Sequence, residues 1–318
     1  MKLIVLDGKT LNPGDNPWTP LERLGSLQVY DRTADDQIVA RCADATIVLT
    51  NKVPFTEATL DQLPNLKFIA VTATGFNIVD TVAAAQRGIV VSNVPEYSTQ
   101  SVAQHVFAML LSFLHRPAEH HQAIVDGQWQ VVGDFSFTLL PIQELVGKTF
   151  GIVGTGRIGR ATAAVATAFG MRVVASSRQH ASPSPNDDFV RLPIEQLFSE
   201  ADVVSLHCPQ TDQNQQFVDA ELLSRMKSTA ILVNTARGGL VDEQALANAL
   251  NADVIAGALL DVCSTEPIGV TNPLLKAKNC LITPHIAWAT LAARQRLMQT
   301  TADNIAAFLQ GQPQNVVS

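Results

Sequence analysis

The chain has 318 residues, of which 47% are hydrophobic and 16% charged, and its formal net charge is −7. This length favours two domains over one, and the negative charge argues against nucleic acid or an anionic membrane surface as a partner. No apolar run approaches a membrane span or a signal peptide, and four scattered cysteines without a CxxC pair argue against a disulfide framework or a metal site and favour the cytoplasm.

The first hundred residues alternate short apolar segments with segments of helical spacing. Strands are predicted over residues 3–6, 27–30, 46–49, 68–71 and 89–92. Helices are predicted between them, for example over residues 35–42 and 56–63. This alternation is typical of parallel βαβ units and predicts a first, smaller α/β domain.

Two segments then depart from that alternation. Residues 99–115 are apolar nearly all round, which predicts a buried helix. Residues 116–146 carry Trp129, Phe135 and Phe137 without a regular period. So long a segment without a regular period is unusual inside a compact domain. We predict that it covers a second subunit in a homodimer; the alternative is that it covers the surface of its own domain.

A glycine-rich loop occupies the middle of the chain. Residues 149–153 predict a buried strand, and Gly154-Thr155-Gly156-Arg157-Ile158-Gly159 leads from it into an alanine-rich helical pattern. Gly154 would allow a tight turn, Gly156 the approach of a pyrophosphate, and Gly159 the close packing of helix on strand. The helix N-terminus would then face the phosphates. The alternative is an ordinary turn between a strand and a helix.

After this loop the alternation of strands and helices resumes. Further strands are predicted over residues 172–175, 202–206, 230–233, 254–260 and 280–282, and helices over 193–200, 243–251 and 291–309. We predict an α/β fold of two doubly wound parallel-sheet domains. A smaller, flavodoxin-like substrate domain would span residues 1–98 and 290–318, and a Rossmann-type dinucleotide-binding domain residues 99–289.

Polar residues follow several of the strands in the second half. Ligands of open parallel sheets bind outside the carboxyl ends of the strands, so these residues are expected to face one crevice. They are His207-Cys208-Pro209, Thr235-Ala236-Arg237, Asp261 and His285, with Glu266 nearby. A cation, carboxylates and an imidazole could therefore converge, but spacing alone assigns no reaction to them.

The motifs VGTGRIGR, SLHCP, VNTARGGLVDE, LLDVCSTEP and TPHIAW occur in the order seen in D-isomer-specific 2-hydroxyacid dehydrogenases. VTATGFNIVD and SNVPEYSTQSVAQ extend this resemblance to the first half, and VAQHVFAMLL and HIAWAT most resemble the glycerate dehydrogenase (hydroxypyruvate reductase) branch. The family usually has glycine where Ala287 stands, which implies an altered pocket wall. The resemblance implies an NAD(P)-dependent enzyme that reduces a small 2-keto acid, with hydroxypyruvate or glyoxylate favoured, to the D-2-hydroxy acid.

The resemblance assigns catalysis to Arg237, Glu266 and His285. A guanidinium can hydrogen-bond both the carboxylate and the carbonyl of a 2-keto acid. A protonated imidazole can supply the proton that the carbonyl oxygen takes up as hydride arrives, and a carboxylate beside the ring fixes it and favours its protonated form. The alternatives are a structural ion-pair arginine, a solvated loop acid and a crevice histidine.

The same resemblance implies further contacts. The backbone of Thr74 and Gly75 would hold the substrate carboxylate, and Asp261 would approach the nicotinamide carboxamide. Besides the residues of the glycine loop, the implied cofactor contacts include Cys208, Pro209, Thr235 and Ala236.

Cofactor choice depends on the residue after the second strand of the nucleotide-binding half. NAD sites normally place Asp or Glu there to hold the ribose 2′-hydroxyl. Ser177 occupies this position, Arg178 follows it, and no acid appears before Asp187. Because a guanidinium suits a 2′-phosphate, we favour NADP(H) over NAD(H). The competing hypothesis is that Ser177 binds the 2′-hydroxyl while Arg178 stacks on adenine, so that both cofactors are used.

Two rival functions stay open at this point. One is a dehydrogenase of the same family for a bulkier 2-keto acid. The other is a dinucleotide-sensing scaffold like the C-terminal binding protein corepressors, which share this fold. Against the scaffold stands the lack of charged, disordered extensions for partner recruitment.

Overall fold

The structure, a computed structural model, describes residues 1–177 and 189–317. The chain divides into two compact units, one formed by Met1–Ser98 with Trp288–Ser318 and the other by Thr99–Ala287. Within the described ranges, no helix has both the length and the apolar character needed to cross a membrane.

The first unit is built on five short parallel strands. They are β1 (Lys2–Val5), β2 (Ser26–Val29), β3 (Ile47–Thr50), β4 (Phe68–Val71) and β5 (Val90–Ser92). Their order across the sheet is β2-β1-β3-β4-β5, and every neighbouring pair is parallel. This is the order of a flavodoxin-like doubly wound sheet. β3 and β4 are buried along their whole length, so their sequences are continuously apolar instead of alternating.

Four short helices connect these strands. They are α1 (Thr19–Glu22), α2 (Ile38–Cys42), which follows a 3₁₀ turn at Asp35–Gln37, α3 (Glu57–Leu60) and α4 (Thr81–Gln86). Side-chain oxygens start two of them: Thr56 accepts from the Thr59 amide before α3, and Asp80 accepts from the Ala83 amide before α4. The helix predicted over residues 56–63 is shorter than expected, because after Leu60 the backbone bonds tighten to the i→i+3 type, from Gln62 to Thr59 and from Leu63 to Leu60.

The second unit begins with helices and continues as alternating strands and helices. In chain order its elements are α5 (Thr99–His115), α6 (Pro117–Val125), α7 (Gln128–Val132), β6 (Thr149–Val153), α8 (Arg157–Ala168), β7 (Arg172–Ser176), β8 (Val190–Arg191), α9 (Ile194–Glu200), β9 (Val203–Leu206), α10 (Ala220–Ser224), β10 (Ile231–Asn234), α11 (Glu243–Asn251), β11 (Gly257–Leu260) and β12 (Cys280–Ile282). Short 3₁₀ turns lie at Asp212–Asn214, Gly238–Leu240 and Pro273–Lys276.

The second sheet has the order β12-β11-β10-β9-β6-β7-β8, and its paired strands are all parallel. Counted from β6, this contains the 3-2-1-4-5-6 order of a Rossmann sheet. The strand order reverses between β6 and β9, and ligands of such sheets bind at that switch point. The predicted fold class is therefore confirmed.

Two strands of the second unit differ from the predictions. β8 was not predicted, because it has only two residues and both are exposed at the edge of the sheet. The strand predicted to begin at residue 254 begins at Gly257 instead, since Asp253 has a left-handed φ of 54° and the chain is still turning out of α11.

The last helix, α12 (Leu291–Leu309), returns to the first unit and covers one face of its sheet. The Phe308 ring lies on the Phe68 ring, with centroids 4.6 Å apart. The Arg294 guanidinium forms two parallel hydrogen bonds with the Asp15 carboxylate, at 2.6 and 2.7 Å. In the second unit, apolar clusters lie on both faces of the sheet, and α5 and α8 pack together over one of them.

Candidate functional site

The glycine loop lies at the switch point of the second sheet. Gly154 has a φ of 104°, which L side chains rarely adopt. A Cβ there would lie 2.7 Å from the Cys208 amide nitrogen and 2.8 Å from the His207 carbonyl carbon. The loops that follow β6 and β9 are therefore in backbone contact, and only glycine allows it.

The start of α8 packs against the glycine loop on one side and is open to a phosphate on the other. A Cβ on Gly159 would lie 2.1 Å from the Gly154 carbonyl oxygen, so the helix packs against the loop before it. Gly156 is the N-cap of α8, no side chain caps the helix, and a Cβ on Gly156 would meet nothing within 4 Å. A phosphate can thus approach the N–H groups of the first turn, which carries Arg157 and Ile158.

Two buried hydroxyl oxygens in this region, Thr155 Oγ1 and Thr235 Oγ1, have no hydrogen-bond partner within the part of the chain that the structure describes. Thr155 follows β6, and Thr235 follows β10, two strands away in the sheet. Buried hydroxyls are usually hydrogen-bonded. With the uncapped helix start, they make these residues a fitting site for NAD(P), whose polar atoms would supply the missing partners.

His285 and Glu266 form the closest pair among the predicted catalytic residues. His285 Nδ1 lies 2.7 Å from Glu266 Oε2, and the amide of Cys263 donates to Glu266 Oε1 at 3.2 Å. The carboxylate is thus held between a backbone N–H and the imidazole. Both side chains are about one-third exposed, at 29% for His285 and 35% for Glu266, so the pair is open to a small molecule.

Arg237 lies in the turn after β10, and Asn234 shapes this turn. The Asn234 amide donates to the Arg237 carbonyl at 2.9 Å, and its oxygen accepts from the Ala236 amide at 3.0 Å. A Cβ on Gly238 would lie 1.9 Å from the Cys263 carbonyl carbon, so this turn packs on the segment that leads to Glu266. The exposed Arg237 guanidinium donates to the Ala236 carbonyl at 2.7 Å.

Asp261 supports the segment that carries His285. Its side chain is 1% exposed and accepts hydrogen bonds from Thr283 Oγ1 at 2.5 Å, the Ile286 amide at 2.9 Å and the Ala287 amide at 2.8 Å. The Asp261 carbonyl also accepts from the His285 amide at 2.8 Å. His285 itself has a left-handed φ of 55°, a conformation that these bonds stabilise.

Burial alone would raise the pKa of Asp261, but hydrogen bonds from His105, Thr283 and the two loop amides outweigh burial and hold this pKa below its usual value. His105 Nε2 lies 3.5 Å from Asp261 Oδ1 and 3.0 Å from Thr283 Oγ1. Sequence reasoning missed this role of His105 and Thr283. His105 lies far from Asp261 along the chain, and no spacing rule connects the two.

His207 differs from His285 in its surroundings. Its Nε2 lies 2.9 Å from Ser205 Oγ, and burial of the ring lowers the pKa of His207 to about 4. The ring is therefore neutral near pH 7. This suits a residue whose backbone, with that of Cys208, borders the glycine loop.

Ser177 follows β7, which pairs with the edge strand β8 of the second sheet. Its Oγ accepts a hydrogen bond from Arg191 Nη1 at 2.6 Å. Arg178, predicted to bind a 2′-phosphate, lies outside the described residues. Sequence reasoning did not identify Arg191, which approaches Ser177 only because β8 pairs with β7.

In the first unit, Thr74 and Gly75 lie in the loop after β4. Thr74 Oγ1 donates to the Val94 carbonyl at 2.9 Å, and the Asn93 side chain donates to the Thr74 carbonyl at 2.7 Å. These bonds tie the loop after β4 to the one after β5. No three His, Cys, Asp or Glu side chains of the described residues are grouped as a metal ion would require.

The chain is similar to proteins of known family and structure. Residues 107–287 match the family described as D-isomer specific 2-hydroxyacid dehydrogenase, NAD binding domain. The chain is 44% identical to a hydroxypyruvate reductase of Blautia hydrogenotrophica, over 100% of both chains. It is 41% identical to a glycerate dehydrogenase of Methylorubrum extorquens, over 91% of this chain and 90% of that one. Among solved structures, an acyclic imino acid reductase in complex with NADPH and D-Arg superposes with a TM-score of 0.86, at 28% identity and over 100% of both chains.

Proposed function

The chain belongs to the D-isomer specific 2-hydroxyacid dehydrogenase family, and from this premise we propose that it reduces hydroxypyruvate or glyoxylate to the D-2-hydroxy acid. Family membership makes it a nicotinamide-dependent oxidoreductase of 2-hydroxy acids. The observation that carries the proposal is the contact of 2.7 Å between His285 Nδ1 and Glu266 Oε2. The hydroxypyruvate reductase and glycerate dehydrogenase relatives support the choice of substrate.

His285 is the proposed proton donor. When bound, the reduced nicotinamide supplies the hydride that the carbonyl carbon accepts. His285 Nε2 donates its proton to the carbonyl oxygen, because Nδ1 is already held by Glu266. Glu266 keeps the ring in one orientation. In the oxidation direction, the neutral His285 takes the proton from the hydroxyl group.

Arg237 is the proposed substrate anchor. Its planar guanidinium can donate to the substrate carboxylate and to the carbonyl oxygen at once. The hydrogen bonds of Asn234 support its turn, and the contact at Gly238 keeps that turn beside the Glu266 segment. In the first unit, the backbone amides of Thr74 and Gly75 are proposed to bind a substrate carboxylate.

NADP(H) is the proposed cofactor, with NAD(H) as the weaker alternative. The support is Ser177 at the end of β7, where an NAD site normally has an acid that would repel a 2′-phosphate. We propose that Gly154, Gly156 and Gly159 admit the pyrophosphate, with Thr155 and Thr235 as additional polar contacts. Asp261 remains proposed beside the nicotinamide, where its carboxylate holds the segment after β12 that carries His285.

A homodimer is proposed on the basis of an apolar surface in residues 116–146. Its exposed apolar side chains are Ile124, Val125, Trp129, Val131, Val132, Phe135, Leu139, Ile142 and Val146, and Val131 and Phe135 are each 87% exposed. Exposed apolar side chains concentrated in one segment support an interaction site there. Sedimentation of the wild type at micromolar concentration should give a dimer, and Val131→Asp should shift it to monomer. A wild-type monomer would contradict the proposal.

A cytoplasmic location is proposed from the cysteines. None of Cys42, Cys208, Cys263 and Cys280 forms a disulfide. Burial raises the pKa of Cys42 to about 12, and that of Cys263 to about 11, so these thiols stay protonated. Cell fractionation with immunodetection tests this proposal, and recovery in an oxidising compartment would contradict it.

The proposed activity can be tested with purified protein and a panel of acids. Oxidation of NADPH and NADH is followed with hydroxypyruvate, glyoxylate, pyruvate and a branched, bulkier 2-keto acid. We expect the highest kcat/KM for hydroxypyruvate or glyoxylate, and a D-configured product by chiral chromatography. A higher kcat/KM for the bulkier acid would contradict the proposed substrate and favour a dehydrogenase for bulkier 2-keto acids. Absence of turnover together with dinucleotide-dependent oligomerisation would favour a scaffold instead.

A further inference from the structure

The edge of the second sheet brings together residues that are distant in sequence. β8 pairs with β7 in parallel, and Arg191 lies opposite Ala175, which places Arg191 beside the carboxyl end of β7. There its Nη1 atom donates to Ser177 Oγ at 2.6 Å. The backbone of Arg191 is thus fixed by the sheet, and its side chain is oriented by the serine.

A second cation lies near the same place. Arg160, in the first turns of α8, donates from Nε to the Thr155 carbonyl at 2.8 Å. Its guanidinium carbon lies 6.0 Å from the centroid of the Phe189 ring, and that of Arg191 lies 5.7 Å from the same centroid. Two guanidinium groups from different elements therefore flank one aromatic ring, close to the start of the phosphate-binding helix.

We propose that Arg191, together with Ser177, forms the binding site for the 2′-phosphate of NADPH and sets the choice of cofactor. This inference rests on the proposed function, because it assumes that the adenosine ribose lies beyond the end of β7, as in other dinucleotide-binding sheets. A phosphate at that position would accept from the Ser177 hydroxyl and from the guanidinium. Arginine suits this task, since its rigid fork of donors matches phosphate oxygens.

Arg191 is better constrained for this role than a residue on a loop would be. A side chain held by strand pairing and by a hydrogen bond loses little freedom when the ligand arrives, and such preorganisation favours binding. The geometry assigns the phosphate contact to an arginine on the neighbouring strand, fourteen positions after Ser177. Arg178, the residue next to Ser177 in sequence, is the rival candidate.

The test measures nucleotide binding directly, without turnover. The wild type and the variants Arg191→Gln and Arg172→Gln are titrated calorimetrically with 2′,5′-ADP, 5′-AMP, NADPH and NADH. Arg172 is the matched control, because it begins the same strand β7 and pairs with Glu200 at 2.9 Å, at the opposite end from Ser177. Circular dichroism confirms that each variant is folded.

We expect Arg191→Gln to weaken 2′,5′-ADP and NADPH roughly tenfold to hundredfold, the range of a hydrogen bond to a charged group. Binding of 5′-AMP and NADH should stay within about threefold, and Arg172→Gln should match the wild type for all four ligands. The wild-type preference for 2′,5′-ADP should also decrease as salt is added, and Arg191→Gln should show a weaker salt dependence.

The outcomes separate this inference from the proposed function. If the wild type prefers 2′,5′-ADP and Arg191→Gln keeps that preference, the role of Arg191 is refuted while the proposed cofactor stands. If the wild type binds 2′,5′-ADP no better than 5′-AMP, the choice of NADPH and the role of Arg191 both fail. In either case, turnover of 2-keto acids remains a separate measurement.

Discussion

Replacing Asp261 by Asn is the sharpest test of how His285, the proposed proton donor, is held. The carboxylate accepts from the Ile286 amide and Thr283 Oγ1 on one oxygen and from the Ala287 amide on the other. An asparagine keeps one acceptor oxygen, and its NH₂ group must then face a donor. We therefore expect the segment that contains His285 to loosen, although the variant is nearly identical in shape.

The magnitude follows from the bonds that are lost. One hydrogen bond to a charged group is worth about 1.5–3 kcal/mol, and a buried donor left unpaired adds to the loss, so the total cost is about 2–4 kcal/mol. If the loss lowers the free energy of local opening of this segment by that amount, exchange of the Ile286 and Ala287 amide hydrogens should accelerate about 30- to 700-fold. Displacement of His285 by about 1 Å would lower kcat roughly a hundredfold.

Hydrogen-exchange mass spectrometry and steady-state kinetics measure these two effects, and calorimetry measures cofactor affinity. The matched control is Asp253→Asn, whose side chain is 73% exposed and pairs with Lys278 at 3.0 Å. It should change neither exchange in the His285 segment nor kcat. If Asp261→Asn weakens cofactor binding but leaves the exchange rates unchanged, Asp261 acts on the nicotinamide and not through the loop.

The pH dependence of this effect has a definite sign. Because the pKa of Asp261 in the folded protein lies below its usual value of 3.8, its carboxylate stabilises the fold above that pH. This stabilisation is lost as pH falls through the lowered pKa. The difference between wild type and Asp261→Asn should therefore be constant from about pH 5 to pH 8 and should shrink below about pH 4.

Three further substitutions test the proposed roles of site residues. His285→Ala should lower kcat by about 10²–10⁴ with little change in cofactor affinity; near-native turnover at every pH would remove His285 from the mechanism. Arg237→Lys should raise KM and lower kcat together, since lysine lacks the planar fork, and unchanged kinetics with hydroxypyruvate would contradict the anchor. Ser177→Asp should depress kcat/KM with NADPH and spare NADH, whereas a wild type that already prefers NADH tenfold would refute the proposed cofactor choice.

Local sequence signals predicted most of the elements correctly. The bounds of β6, α5, α11 and α12 agree with the predictions. An apolar run and a helical period can each be recognised in one continuous stretch of residues. The family resemblance, read from motifs in a fixed order, is confirmed by the match over residues 107–287 and by the relatives. The same motifs predicted a set of site residues, whose roles stay predictions until the variants are measured.

The segment of residues 116–146 shows the limit of a periodicity argument. No regular period was predicted there, yet it contains the helices α6 and α7. The apolar side chains of α6 and α7 are mostly exposed in the single chain, so the pattern that normally marks a buried helix face is missing.

By itself, the sequence determined the two doubly wound sheets, the glycine loop and the order of the strand-end motifs, since each depends on neighbouring residues. Only the tertiary structure decided which distant side chains meet. Asp261 contacts His105 because α5 packs on the second sheet, and Arg191 contacts Ser177 because β8 pairs in parallel with β7. No local pattern connects the residues of either pair. Hydrogen bonds reach only about 3 Å, so these partners depend on the assembled sheet, whereas the elements themselves depend on local propensity and burial.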